Sequence, residues 1–280
     1  MSTLRIAKLE QYGLLLVTGA DARAFLHAQL TNDIEHLAPG SARYAGWCSA
    51  KGRLLASFLV ATCAEGFLLQ LSRDLVPQVA KRLSMFVLRS KVKISDVTGE
   101  WPQYGLWEPS PGGDLSVRQA KDRIEVGIDA ERTLLLTQTP QGADTPAAEW
   151  ALAEVRAGRP LIVLATQDQF VPQMVNFELS GGVDFKKGCY PGQEIVARAQ
   201  YRGAVKRRMV RLRGAALQPG QEIYSDDAPG QVGGTVGTVV NSAGDESLAV
   251  LQLAAIEAKA PIRALPQAAA LEVLSLPYSQ

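Results

Sequence analysis

Apolar and polar positions alternate or cluster in a way that divides this chain into short strands, a few amphipathic helices and a tail with almost no helical period. Residues 12–18 (YGLLLVT) form a continuous apolar run of the length of a buried strand. Asp21 follows as an N-cap for a helix over 22–30, where Phe25, Leu26 and Leu30 share a face. Segments 43–50, 54–63 and 67–72 read as antiparallel strands, separated by turns at Lys51-Gly52 and Glu65-Gly66. From 74 to 88, Leu75, Val79, Leu83, Phe86 and Val87 recur at helical spacing, which predicts a helix covering that sheet; Pro77 is tolerated because it falls in the first turn. Residues 91–97 alternate as a strand, and the Pro- and Gly-rich stretch 101–113 reads as a junction. A second hairpin is predicted from 123–128 and 133–138. Thr145, Pro146 and Gly158 then bracket a helix carrying Trp150, Leu152 and Val155.

Beyond Gly203 the pattern changes. Short runs at 205–213, 222–224, 235–240, 247–253 and 271–274, punctuated by Gly and Pro, predict a small antiparallel barrel or sandwich. A length of 280 residues, against about 150 per domain, calls for two packed units or one unit of interleaved halves. With 47% hydrophobic and 20% charged residues, the chain is an ordinary globular sequence rather than a disordered or coiled-coil one. The longest apolar stretch, 54–64, is interrupted by Ser57 and Thr62 and falls short of the roughly 18 residues of a membrane span. The first ten residues carry Arg5, Lys8 and Glu10 and lack the apolar core of a secretory signal, so cytoplasm is the expected location.

The three cysteines, Cys48, Cys63 and Cys189, include no CxxC pair, which excludes a disulfide scaffold and zinc-finger spacing. His27 and His36 lack the spacing of paired helical ligands, and no metal site is expected. Charge is uneven. Segment 184–213 holds nine Lys and Arg against Asp184 and Glu194, a balance of +7 in a chain whose total is +1. Such a concentration predicts an electropositive face and an anionic ligand or partner.

Within that segment lies KKGCYPGQE, residues 186–194. Two glycines and a proline around one thiol demand a sharp turn and place Cys189 on an exposed loop. A short helix over 193–199 and the ammonium groups of Lys186 and Lys187 would favour thiolate over thiol. The expectation is a reactive cysteine able to act as nucleophile, redox group or soft-metal ligand. Cys48 and Cys63, in apolar runs, read as small core hydrophobes.

KGCYPGQE, preceded by PQMVNFE and followed by ARAQYRGAVKR, resembles the signature of the YgfZ family, folate-binding relatives of the glycine-cleavage T-protein. FLHAQLTND at 25–33 and the terminal LPYS extend the resemblance over nearly the whole chain. It implies an α+β fold: a T-protein-like ring of three subdomains, two α/β subdomains plus a small C-terminal antiparallel β-barrel. The body would span 1–203, with 1–48 and 110–203 in one subdomain and 49–109 in the other, and the barrel would span 204–280. The resemblance also implies a bound tetrahydrofolate or derivative, and a role in assembling, repairing or maintaining iron-sulfur enzymes, including those that thiolate transfer RNA. Partners would be iron-sulfur enzymes or cluster-assembly proteins. Cys189 would be the working group and Lys187 its electrostatic neighbour, with Gln193 and Glu194 orienting the loop by hydrogen bonds and, together with Gly192, counted among the cofactor-binding residues. Folate would meet an early aromatic, here Tyr12 where the family pattern has tryptophan, and Trp150. A flat pterin suits a rigid aromatic surface, although Trp150 on an amphipathic helix is by default a core residue.

Two other functions compete. An aminomethyltransferase needs a carboxylate beside the folate, but Ala56 and Ser57 stand where the T-protein pattern has an acid pair, and neither can do a carboxylate's work. An RNA-binding protein could use Arg198 to Arg213 on phosphates. Alternation, however, sends Lys206 and Arg208 to one face and Arg207 to the other, and Tyr190 and Tyr201 offer little stacking, so direct nucleic-acid binding is not favoured. The sequence does not require a classical enzyme.

Overall fold

The computed structural model describes residues 4–201, 203, 205–225 and 234–278; Arg202 of the basic run, Ser279 of LPYS and the expected boundary at 204 lie outside them. The chain divides into two compact units. One comprises Met1–Trp47, Leu55–Trp150 and Gly182–Pro191; the other comprises Cys48–Leu54, Ala151–Gly181 and Gly192–Gln280.

The first unit is built on two antiparallel sheets. In one, the order is β3 (Ala42–Cys48), β4 (Leu54–Cys63), β5 (Gly66–Ser72), β2 (Tyr12–Thr18), β6 (Lys93–Asp96). In the other it is β1 (Ile6–Lys8), β7 (Gln103–Leu106), β10 (Arg132–Thr137), β9 (Arg123–Asp129), β8 (Val117–Ala120). Strand pairing crosses the expected division of the body. β2 bonds to β5 and β6, although 1–48 and 49–109 were expected in different subdomains, and β7 bonds to β10 across the other expected boundary. β1 and β7, at three and four residues, are too short to show a period, which is why 101–113 reads as a junction.

Two helices of this unit depart from the sequence pattern in instructive ways. α1 (Ala22–Gln29) starts where expected, but the Asp21 side chain does not cap it; its carboxylate accepts the Lys91 backbone N–H at 2.7 Å. α2 (Val76–Ser84) follows a 3₁₀ turn at Arg73–Leu75 and stops four residues short of Leu88. The Phe86 and Val87 N–H groups bond to Leu83 and Ser84 carbonyls, i to i−3, and Leu88 takes φ 45°. Phe86, expected on the buried stripe, instead meets Trp47 edge-on at 6.3 Å and is 44% exposed. Tightening the last turn rotates the apolar residues after it out to solvent.

In the second unit, one antiparallel sheet runs β12 (Glu222–Ser225), β13 (Gly234–Ala243), β14 (Glu246–Gln252), β11 (Arg207–Arg213), β15 (Glu272–Leu274). Arg263 bridges both to Tyr224 on β12 and to Ala270 just before β15, so the sheet curls toward closure around Leu212, Ile223, Val239 and Leu251. The five-residue α5 (Leu253–Glu257) was invisible to periodicity. The remaining helices are α3 (Ala147–Arg156) and α4 (Gln193–Tyr201), close to their expected bounds. Among the described residues no helix is long and apolar enough to cross a membrane.

Candidate functional site

The loop that carries Cys189 is strapped to the C-terminal end of α1. Thr31 Oγ1 donates to the Gly182 carbonyl at 2.6 Å, and the Asp184 N–H donates back to the Thr31 carbonyl at 3.0 Å. Lys187 then turns inward. Its ammonium donates to the carbonyls of His27 and, at 2.7 Å, Leu30, groups that the end of a helix leaves without an intrahelical partner. Nζ also lies 4.8 Å from the centre of the Tyr190 ring. Burial pushes Lys187 down to about 8, against the opposing pull of Asp33, Asp184 and, last, Cys189. The Lys187 ammonium is thus chiefly a tie between loop and helix, and its interaction with the thiol is the weakest of these.

With Lys187 and Tyr190 facing in, Cys189 between them is exposed. The other thiols are not available in the same way: burial pushes Cys48 up to about 12 and Cys63 up to about 11, which holds both as thiols at neutral pH. His27, which the sequence reading left without a role, joins this loop. Its Nδ1 accepts the Glu35 N–H at 3.1 Å and lies 3.1 Å from the Asp33 carboxylate, while Nε2 comes within 3.6 Å of the position a Cβ on Gly188 would take. The available signal was its place in the last turn of α1, in FLHAQLTND.

Gly192, Gln193 and Glu194 belong to the second unit. Gly192 has φ +78°, and a Cβ there would fall 2.3 Å from the Ser49 carbonyl and 2.7 Å from Gly52 Cα. Only glycine fits where the 49–53 turn approaches so closely. Gln193 and Glu194 open α4, but neither side chain makes a hydrogen bond among the described residues. The ties between the loop and the end of α1 are made by Thr31, Asp184 and Lys187.

The two aromatic candidates, Tyr12 and Trp150, are both buried in the first unit. Trp150 packs on Gly105, where any Cβ would strike its ring at 2.1 Å, with Arg132 4.8 Å over the ring and Trp107 edge-on at 5.6 Å. Gly105 and Gln103 alternate onto one face of β7. Gln103 Oε1 accepts from Gln70 Nε2 at 2.7 Å, and Gln70 shares a face with Tyr12 through the register of β2 and β5. Gln70, on the face of Tyr12, is half-buried, Gln103, on the face of Gly105, is buried, and the Gln103 Nε2 has no hydrogen-bond partner. A buried amide donor without a partner fits a flat heterocycle rich in acceptors, which is the test a folate site must pass. Ala56 and Ser57 are buried in β4 and bring no carboxylate.

The GCVT N-terminal domain family matches residues 3–112. The crystal structure of glycine cleavage system aminomethyltransferase T from Bartonella henselae aligns with a TM-score of 0.69 at 16% identity, over 98% of this chain and 86% of that one, which shows a common fold. An uncharacterized protein of Haemophilus influenzae is 33% identical over 97% of each chain. The tRNA-modifying protein YgfZ of Photorhabdus laumondii is 32% identical, with 82% of this chain and 76% of that protein covered. The chain belongs to the YgfZ family.

In this YgfZ-family chain the segments flanking the cysteine octapeptide are structural ties of the second unit. Gln173 Nε2 donates to the Val196 carbonyl and Asn176 Nδ2 to the Met209 carbonyl, both at 2.8 Å, and Glu178 pairs with Arg208. Tyr278 of LPYS donates to the Gly158 carbonyl at 2.8 Å, and burial pushes its hydroxyl up to about 12. These motif residues hold the fold, whereas Gly188 and Cys189 of the KGCY run are exposed and Cys189 carries the one side chain there that faces solvent.

Proposed function

We propose that this YgfZ-family chain is a folate-binding accessory protein for iron-sulfur enzymes, including those that thiolate transfer RNA, with Cys189 as its working thiol. The observation that carries this reading is the exposed Cys189 held between two inward-facing anchors, Lys187 and Tyr190. A thiol that must meet a partner or a sulfur species needs access, and a loop tied at both flanks presents it in one place. The relatives named tRNA-modifying protein support the transfer-RNA side of the proposal. Tyr12, Trp150 and Gln103 would hold the pterin of tetrahydrofolate, whose chemistry when bound is that of a one-carbon carrier. An aminomethyltransferase is disfavoured by the apolar Ala56 and buried hydroxyl of Ser57.

Titration with tetrahydrofolate, followed by tryptophan fluorescence, tests the folate half. Gln103→Leu removes the unused donor while keeping the side chain's bulk, and it should weaken binding about tenfold. Cys189→Ala should bind folate like the parent yet fail to restore cluster-dependent transfer-RNA thiolation in cells lacking the endogenous protein. Full restoration by Cys189→Ala would remove the thiol from the proposal; absence of any folate response in the parent would remove the cofactor. A chromogenic disulfide reagent should label Cys189 at least about a hundredfold faster than Cys48 in the native state.

A further inference from the structure

The turn after α2 carries a second, unassigned feature. Met85 is 69% exposed and Leu88 88%, with Phe86 beside them braced on Trp47. Between Leu75 and Ser95 the chain contains no carboxylate and five cations. Lys81 and Arg82 precede the apolar tip; Arg89, Lys91 and Lys93 follow it, and all five are exposed with no ion pair among the described residues. The flanking acids are engaged elsewhere: Asp21 accepts the Lys91 backbone N–H, Asp74 accepts from Ser72 and Asp96 from Thr98. Arg82 is steadied over the Trp47 ring at 5.6 Å.

We propose that this surface docks an acidic protein partner that offers an apolar pocket to Met85 and Leu88 inside a carboxylate rim. The charge on this chain is complementary to such a rim, and unpaired cations around an apolar centre are the layout of a protein interface. Met adapts its shape to an imperfect pocket, and Phe86, fixed by Trp47, keeps the tip from paying the full cost of ordering on association. Nucleic acid fits less well, because phosphates leave the aliphatic tip without a counterpart and Phe86, partly covered by Trp47, is the single aromatic between Leu75 and Ser95 on which a base could stack. A lipid surface fits less well because only two side chains are free to insert, far less apolar area than interfacial anchors bury.

The test uses the whole chain and three probes: a labelled amphipathic helical peptide of about 15 residues, with Leu and Phe on one face and Glu on the other, bulk transfer RNA, and phosphatidylcholine vesicles containing phosphatidylserine. Peptide binding, read by fluorescence anisotropy, should weaken about tenfold in Arg89→Glu with Lys91→Glu, several-fold in Leu88→Ser, and again as salt rises from about 0.1 to 0.5 M. Lys206→Glu with Arg207→Glu should leave it unchanged. The inference is overturned if the peptide fails to bind, if charge reversal at Arg89 and Lys91 has no effect, or if transfer RNA or vesicles bind through these residues while the peptide does not.

Discussion

Two stretches of this chain are rich in lysine and arginine, and they differ in how many of their cations are held by the fold. Segment 184–213 dominates the sequence, with nine cations, and four of them are tied down, while Lys186, Arg198, Lys206 and Arg207 stand exposed with no ion pair among the described residues. Lys187 is buried against main-chain carbonyls, Arg208 pairs with Glu178, Arg211 lies 3.7 Å from Glu246, and Arg213 pairs with Glu272. Segment 81–93 holds fewer cations and drew no attention as charge, but its five stand exposed beside bare apolar side chains. The carboxylates that settle the difference come from far along the chain, 30 residues from Arg208 and 59 from Arg213. A local charge count measures what must be neutralised or displayed; topology decides which.

The comparison breaks most readily at Arg208. Its guanidinium and the Glu178 carboxylate are 18% and 6% exposed, and the same guanidinium donates to the Gln173 carbonyl at 2.9 Å. Arg208→Ala should cost about 3–5 kcal/mol in denaturant unfolding, because it strands a buried carboxylate. Arg89→Ala should leave the midpoint where it was. Burial already raises Glu178, with Arg208 pulling it back down. Without Arg208 the carboxyl should rise further above its unfolded value, so the deficit of the variant should be largest at neutral pH and shrink as acid protonates Glu178. A loss below about 1 kcal/mol at pH 7 would mean that burial, not pairing, sets the state of the basic run.

Lys187 sharpens the comparison through pH. Its folded value of about 8 lies below the ordinary 10.5, so the unfolded chain binds more protons between those values. Stability attributable to Lys187 should therefore be lowest below pH 8 and recover as pH climbs through 10.5, by up to about 3 kcal/mol. Lys187→Met has no such titration, and the buried thiols titrate alike in both proteins. The parent-minus-variant difference in unfolding free energy should thus grow across that window. A flat difference would put the ammonium in solvent rather than against His27 and Leu30.

How much of this was legible beforehand depends on length and on locality. β4, β5, β9 and β10 are six to ten residues long, and their patterns announced them. β1, β7 and β8, at three or four residues, could not, and with them went the true partition of the strands. The exposed position of Cys189 followed from Gly188, Pro191 and Gly192 alone, since turn chemistry is local. The inward path of Lys187 did not, because its acceptors sit more than 150 residues away on α1. Tyr12 and Trp150 entered by resemblance, but the Gln70–Gln103 pair joins two sheets through one side-chain hydrogen bond and leaves no trace in either segment. The helical period through Phe86 was genuine, yet the tight turn overrode it, and the docking surface is the product of that override.

The smallest effect is the one that tests the reasoning most closely. Arg213 lies five positions beyond Arg208 on β11 and pairs with Glu272 across the ladder to β15, but the two side chains are 47% and 56% exposed. If exposure grades these pairs, water and salt already do much of what Glu272 does. Arg213→Ala should then give an unfolding midpoint indistinguishable from the parent, with no added response to about 0.5 M salt. A clear loss at low salt that vanishes at high salt would show the outer end of β11 contributing as an ion pair, and would extend neutralisation as a source of stability along the whole basic strand. An equal loss at both salt concentrations would point instead to the arginine's methylene stem packing on β15, a contribution that charge counting cannot see.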